Sequence, residues 1–108
     1  MQRTIAIAAG DPVFDGHFPG RPMLPGARLL DRVIEALRQA DDRLCDAPLE
    51  ITVAKFLVPV LPGQQVRLQW TAGTTGLIKF ECFVDQTMVA TGALRPAPDP
   101  DAGFVPRA

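Results

Sequence analysis

Glycine and proline dominate one stretch of this chain so strongly that it cannot be a helix or a central strand. The stretch runs from Gly16 to Gly26 and reads GHFPGRPMLPG. Each proline fixes φ and lacks a backbone donor, which excludes a regular helix and the interior of a sheet. We therefore predict a rigid loop, with the regular elements on either side of it.

An amphipathic helix is predicted directly after this loop, from Gly26 or Ala27 to about Gln39. Its apolar residues recur at helical spacing and form one stripe, and charged residues occupy the opposite side. Asp31 falls just outside the stripe, so the pattern neither forces it into the core nor fixes it in solvent. The stripe consists of Leu29, Leu30, Val33, Ile34 and Leu37.

Strand-like alternation accounts for most of the remaining chain. Before the loop, residues 4–9 predict a short edge strand with Ile5 and Ile7 on one face. A polar connection at 40–48 follows the helix, and four more strands are predicted over 49–58, 65–72, 77–84 and 88–95. Their order favours an antiparallel meander. One helix against one antiparallel sheet is an α+β arrangement.

The length and charge of the chain narrow the classes of partner. At 108 residues we expect a single domain over 1–95 and a loose proline-rich tail over 96–108. So small a domain leaves much surface uncovered, which favours self-association. The formal charge of −1 gives no indication of nucleic acid or an anionic membrane surface as a partner.

The cysteines and the N-terminus predict a reduced, cytoplasmic protein. Cys45 and Cys82 stand far apart, outside metal-ligand spacing, so we predict no metal site and place Cys82 in the core. The N-terminus lacks a basic region followed by a long apolar run. No stretch approaches the roughly 20 apolar residues that a membrane span requires.

His17 is the only histidine, and Asp31 follows it fourteen residues later. An unperturbed imidazole titrates near pH ~6.5, so it can accept a proton at neutral pH. A shielded carboxyl group can act as its partner and donate a proton. The pair of His17 and Asp31 therefore leads to the hypothesis of acid/base catalysis.

The segment from Asp11 to Gly26, followed by a helix that carries an acid, resembles the bacterial β-hydroxyacyl-acyl-carrier-protein dehydratases. Those proteins carry a GHFPGxPxxPG loop, a Glu or Asp at the position of Asp31, and later a strand reading like Phe-x-x-Pro-Val-x-Pro-Gly. Here that strand is part of Lys55 to Gly63, KFLVPVLPG. The resemblance covers roughly 11–95. It implies a hotdog fold, in which an antiparallel sheet wraps around one long central helix.

The resemblance also implies roles for four residues. His17 matches the catalytic histidine and Asp31 the catalytic acid, contributed by different protomers of a homodimer or of a higher oligomer of dimers. Gly26 and Ala27 match the positions whose backbone N–H groups face the thioester oxygen. The implied reaction removes water from a 3-hydroxyacyl thioester of an acyl carrier protein or CoA. The product is a trans-2-enoyl thioester, made without a metal or redox cofactor.

Two other functions stay open on the sequence. A hotdog thioesterase uses a carboxylate to activate water, although the His17 loop matches dehydratases more closely. A non-catalytic acyl-thioester-binding module is the other alternative. It stays open because the family often has small or apolar residues at the positions of Arg28 and Arg32, and glutamine at the position of Glu35.

Overall fold

The computed structural model describes residues 1–8, 24–45 and 47–97. In chain order they form strand β1 (Gln2–Ala6), helix α1 (Gly26–Ala40), a short 3-10 turn (Asp42–Leu44) and four strands. The strands are β2 (Leu49–Phe56), β3 (Gln65–Ala72), β4 (Ile78–Val84) and β5 (Thr87–Pro96). One long helix with an antiparallel sheet confirms the predicted α+β arrangement. The predicted bounds differ from these by three residues or fewer.

The five strands form one antiparallel sheet in the order β1-β3-β4-β5-β2. Strands β3, β4 and β5 make the expected meander, and β1 lies at one edge as predicted. The expectation that β2 continues the meander is wrong, because β2 crosses over and pairs with β5 at the other edge. The chain between β2 and β3 contains Pro59 and Pro62 and is too long for a tight hairpin, so these two strands need not be neighbours.

The core lies between α1 and one face of this sheet. Leu29, Val33 and Leu37 of the predicted stripe are buried, and Leu30 and Ile34 pack against them in part. The strands supply alternate residues, and Cys82 is fully buried as predicted. The buried strand residues facing α1 include Ile5, Val66, Leu68, Trp70, Ile78, Phe80, Ala90 and Leu94. The alternation read from the sequence therefore identifies the buried face correctly.

Arg38, near the end of α1, forms hydrogen bonds with the connection that leads into β2. Its Nη1 donates hydrogen bonds to the carbonyl oxygens of Leu44, at 2.5 Å, and Ala47, at 2.8 Å. Asp41 caps the 3-10 turn by accepting from the backbone N–H of Arg43, at 3.0 Å. These contacts give hydrogen-bond partners to backbone groups of the 3-10 turn and of the connection to β2.

Within the described ranges, no helix is long and apolar enough to cross a membrane. The predicted loop over 16–26 is described only from Leu24 onward, and the tail only as far as Ala97.

Candidate active site

The start of α1 is held in place by the chain that follows β2. The N–H of Leu24 donates to the carbonyl oxygen of Val60 at 2.7 Å, which forms an isolated antiparallel bridge. Pro25 then precedes the helix, and its carbonyl oxygen accepts from the N–H groups of Arg28 and Leu29. Proline at this point has its φ already set, so the first helical turn starts from a fixed position.

The first two backbone N–H groups of α1 are among the donors that helix geometry leaves without a partner inside the helix. In the part of the chain that the structure describes, no group accepts a hydrogen bond from the N–H of Gly26 or Ala27. The first turn of α1 contains no acidic residue that would offset the positive end of the helix dipole. Unpaired amides with partial positive charge are suited to binding an oxygen that gains negative charge.

An apolar cleft of about 400 Å³ opens beside these donors. On one side lies the start of α1, with Gly26 and Leu29, and on the other the end of β2 and the residues after it. Its lining consists of Leu24, Pro25, Gly26, Leu29, Phe56, Leu57, Val58, Pro59 and Val60. A ligand oxygen at the amides therefore has apolar surface next to it.

Asp31 lies on α1 one helical turn after Ala27, on the same side of the helix. Its side chain is 66% exposed, and its Oδ2 lies 3.8 Å from Nη1 of Arg28. Arg32 is similarly 3.9 Å from Glu35 and also donates to the carbonyl oxygen of Ala6 at 3.3 Å. Exposed pairs of this kind contribute about 0–1 kcal/mol, so Arg28 does not fix the Asp31 carboxylate.

The structure thus describes three of the four predicted site residues. Gly26, Ala27 and Asp31 lie within the first two turns of α1. His17 lies outside the described residues, so its distance from Asp31 stays a prediction.

Phe56 is not among the candidate site residues predicted from the sequence. Phe56 is 49% exposed and lines the cleft beside Gly26. The available signal was its position at the end of a strand, three residues before Pro59, in the KFLVPVLPG motif.

Apolar side chains are also exposed along β2 and the chain after it. Strand β2 is an edge strand with one unpaired side in this sheet. The exposed apolar residues are Ile51, Val53, Phe56, Leu57, Val58 and Leu61, at 41–54% exposure. A cluster of this kind on an edge strand marks a surface that another chain can cover.

A larger groove, about 740 Å³, crosses the outer face of the sheet away from the start of α1. Many of its lining side chains are polar, among them Lys55, Gln69, Lys79 and Glu81, and none of the lining residues belongs to α1. Of the predicted site residues that the structure describes, Gly26 lines the smaller cleft and none lines this groove.

Comparison with known sequences gives one family and several curated relatives. Residues 1–93 match the family described as ApeI-like, ApeI dehydratase. The chain is 31% identical over 98 residues to the 3-hydroxyacyl-[acyl-carrier-protein] dehydratase FabZ of Pelotomaculum thermopropionicum, covering 82% of this chain and 70% of that protein. It is 42% identical over 73 residues to the FabZ of Haemophilus influenzae, covering 57% of this chain and 47% of that protein.

Solved structures of low sequence identity share the fold. The dehydratase heterocomplex ApeI:P from Xenorhabdus doucetiae superposes with a TM-score of 0.77 at 23% identity, covering 90% of this chain and 86% of that chain. A trans-AT PKS dehydratase domain from Brevibacillus brevis gives a TM-score of 0.76 at 14% identity, covering 98% of this chain and 43% of that chain. The predicted hotdog fold is confirmed by these likenesses.

Proposed function

This chain belongs to the ApeI-like dehydratase family, and we propose that two copies of it combine His17 of one with Asp31 of the other in a 3-hydroxyacyl thioester dehydratase site. The observation that carries the proposal is the pair of backbone amides at Gly26 and Ala27. They have no acceptor among the described residues, Gly26 lines an apolar cleft, and Asp31 lies one helical turn further along α1. The curated relatives named above are dehydratases of 3-hydroxyacyl-[acyl-carrier-protein]. We therefore propose an acyl carrier protein as the thioester carrier.

The reaction is the loss of water across C2 and C3 of the acyl group. His17 accepts the proton from C2, and the electron pair of that C–H bond forms the C2–C3 double bond. Asp31 donates a proton to the C3 hydroxyl, whose C–O bond breaks to release water. The imidazole and the carboxylate then exchange a proton with solvent to regain their starting states.

The start of α1 stabilises the charge that develops during C2 deprotonation. As the C2–H bond breaks, electron density moves onto the thioester carbonyl oxygen. The N–H groups of Gly26 and Ala27 donate to that oxygen, and the helix dipole adds partial positive charge. These donors are held in position by Pro25 and the Leu24–Val60 bridge, so little reorganisation is needed.

A second protomer can shield Asp31 from water. Asp31 is 66% exposed in one protomer, whereas a group that protonates a leaving hydroxyl works best where water is excluded. The exposed apolar residues of β2 offer a surface for the partner, and edge strands of two copies can pair into one continuous sheet. We therefore propose that a homodimer forms through β2 and that it contains the shared site. The cytoplasmic location expected from the sequence stays a prediction.

The test is turnover with 3-hydroxybutyryl and crotonyl thioesters, followed by enoyl absorbance and by release of free thiol. Interconversion of the two supports the dehydratase. Thiol release without interconversion indicates a thioesterase. Binding without either reaction indicates an acyl-thioester-binding module.

A mixing experiment tests the shared site directly. His17→Ala and Asp31→Asn each abolish turnover in our proposal, and circular dichroism checks that both variants fold. When the two inactive proteins are mixed and allowed to exchange subunits, half of the dimers are mixed, and each mixed dimer has one intact site. Activity should return to roughly a quarter of the wild-type value. No recovery after demonstrated exchange would contradict a site built from two protomers.

A further inference from the structure

The ring of Phe56 lies closer to α1 than a side chain at position 26 would permit. A β-carbon placed on Gly26 would lie 2.9 Å from Cδ2 of Phe56 and 3.0 Å from its Cγ and Cε2. Carbon atoms of neighbouring side chains normally stay about 3.5–4.0 Å apart. Glycine therefore lets the ring pack directly against the helix backbone where the free amides begin.

Pairing with β5 holds the backbone at Phe56 and at the residue that follows it. Phe56 is the last residue of β2 and pairs with Ala90 of β5. The next residue, Leu57, donates its N–H to the carbonyl oxygen of Val89 at 2.8 Å. The ring is nevertheless 49% exposed, and it lines the cleft together with Leu29. Part of the ring thus lies against Gly26, and about half of the residue remains exposed where it lines the cleft.

We propose that Phe56 is a specificity-determining residue that limits the width of the acyl group next to the thioester. The inference rests on the proposed function, because that function places the thioester oxygen at the amides of Gly26 and Ala27. The acyl carbons closest to the thioester then pass beside the exposed face of the ring. A straight chain fits along an aromatic face, whereas a branch at C4 requires space that the ring occupies.

The measurement compares two substrates that differ by one methyl group. These are the pantetheine thioesters of 3-hydroxypentanoate and 3-hydroxy-4-methylpentanoate. The wild type should favour the straight chain in kcat/KM by about tenfold, the lower end of the discrimination that one methylene produces in an apolar pocket. In Phe56→Leu the ratio should fall towards one, because the branch gains room.

Two variants control for effects on folding and assembly. Ile51→Ala removes apolar surface from the same strand at similar exposure, 41% for Ile51, but Ile51 does not line the cleft. It should leave the substrate ratio unchanged. Phe56→Tyr keeps the ring and should also retain the ratio. Loss of selectivity in Ile51→Ala equal to that in Phe56→Leu would overturn the proposal, since the effect would then come from the strand.

A double-variant cycle tests the contact from the other side. Gly26→Ala should displace the ring and lower kcat/KM for the straight-chain substrate by tenfold or more, on the order of the change expected for a crowded apolar contact. Combining it with Phe56→Leu should restore most of that loss, because the clash partner is smaller. If the double variant is as poor as Gly26→Ala, the added methyl group obstructs the substrate itself and not the ring.

The outcome separates this proposal from the dehydratase assignment. Turnover with an unchanged substrate ratio in Phe56→Leu rejects the role of Phe56 and leaves the dehydratase intact. If the wild type turns over neither substrate, isothermal titration with the same two thioesters gives the ratio of Kd values, and Phe56→Leu should again bring it towards one. An unchanged Kd ratio, or no binding of either thioester, overturns the proposal.

Discussion

At the scale of single residues, Asp31 and Cys82 show how burial decides chemistry. Asp31 is exposed beside Arg28 and is available to a ligand or a second protomer. Cys82 is fully buried, and desolvation raises the pKa of its thiol to about 12. The thiolate is the reactive form of cysteine, so Cys82 is inert in the native protein at neutral pH.

The two cysteines should therefore differ in reactivity. At neutral pH a thiol reagent such as DTNB should label the exposed Cys45 rapidly and Cys82 only after denaturation. Absorbance of the released thiolate counts the reactive groups with and without guanidinium chloride. Cys45→Ser is the control and should abolish the rapid phase. Two rapid equivalents in the native wild type would contradict the buried position of Cys82.

Asp41 should contribute a pH-dependent part of the stability. Hydrogen bonds from the Arg43 side chain and then its backbone N–H lower the pKa of Asp41 below its usual 3.8. Because the folded-state pKa is the lower one, this stabilisation is present above pH 3.8 and is lost as the pH falls through the folded-state value. Asp41→Asn should lower the free energy of unfolding at neutral pH by less than about 1 kcal/mol, the upper end of the range for an exposed ion pair.

Urea denaturation of the wild type and Asp41→Asn as a function of pH tests this. The stability difference should shrink at acid pH, where Asp41 is protonated in both states. Asp42→Asn, at the neighbouring carboxylate, is the matched control and should show less change. A difference that stays constant down to acid pH would show that the charge of Asp41 does not contribute.

At the scale of elements, α1 connects the core to the site. Its apolar stripe packs against the sheet, and its first turn carries the free amides of Gly26 and Ala27. The positions of those amides depend on the packing of residues such as Leu37, which is fully buried. The packing of α1 on the sheet therefore also positions the predicted site residues.

Leu37→Ala should lower the free energy of unfolding by about 2–5 kcal/mol, because it leaves a cavity in a packed core. Thermal and urea denaturation measure the loss. Gln39→Ala is the control, since residue 39 is exposed on the same helix and its replacement should have little effect. A change of less than 1 kcal/mol, below the range for such cavities, would show that the core relaxes around position 37.

At the scale of the whole molecule, exposed apolar residues are unevenly distributed between the two edges of the sheet. Every buried residue of the described core is apolar, and apolar residues also remain exposed along β2. The opposite edge strand, β1, exposes Gln2, Arg3 and Thr4 instead. This asymmetry favours association through β2 over association through β1.

Val53→Asp should therefore dissociate the proposed dimer. A carboxylate at this position stays hydrated in the monomer but loses water in a dimer, at a cost of about 3 kcal/mol. Sedimentation velocity should show a shift to monomer, with loss of turnover. Thr4→Asp on β1 is the control and should leave the dimer intact. A wild type that is monomeric at assay concentrations, or a Val53→Asp dimer as tight as wild type, would reject the interface.

The element types and the buried faces followed from periodicity, because alternation and helical spacing depend on neighbouring residues in the chain. The stripe of α1 and the alternation of β3 and β4 predicted which side chains are buried. The position of β2 did not follow, since strand pairing depends on residues distant in sequence. The motif around His17 and Asp31 supplied the family by resemblance, which periodicity alone could not give.

Local patterns in the amino-acid sequence are enough to predict one helix, five strands, their apolar faces and the chemical types of the candidate site residues. These are local properties, set by backbone preferences and the spacing of apolar side chains. Only the tertiary structure decided that β2 crosses to β5 and that Phe56 packs on Gly26 beside the free amides. Both features arise where segments far apart in the chain compete for the same space, and no short window of sequence contains that information.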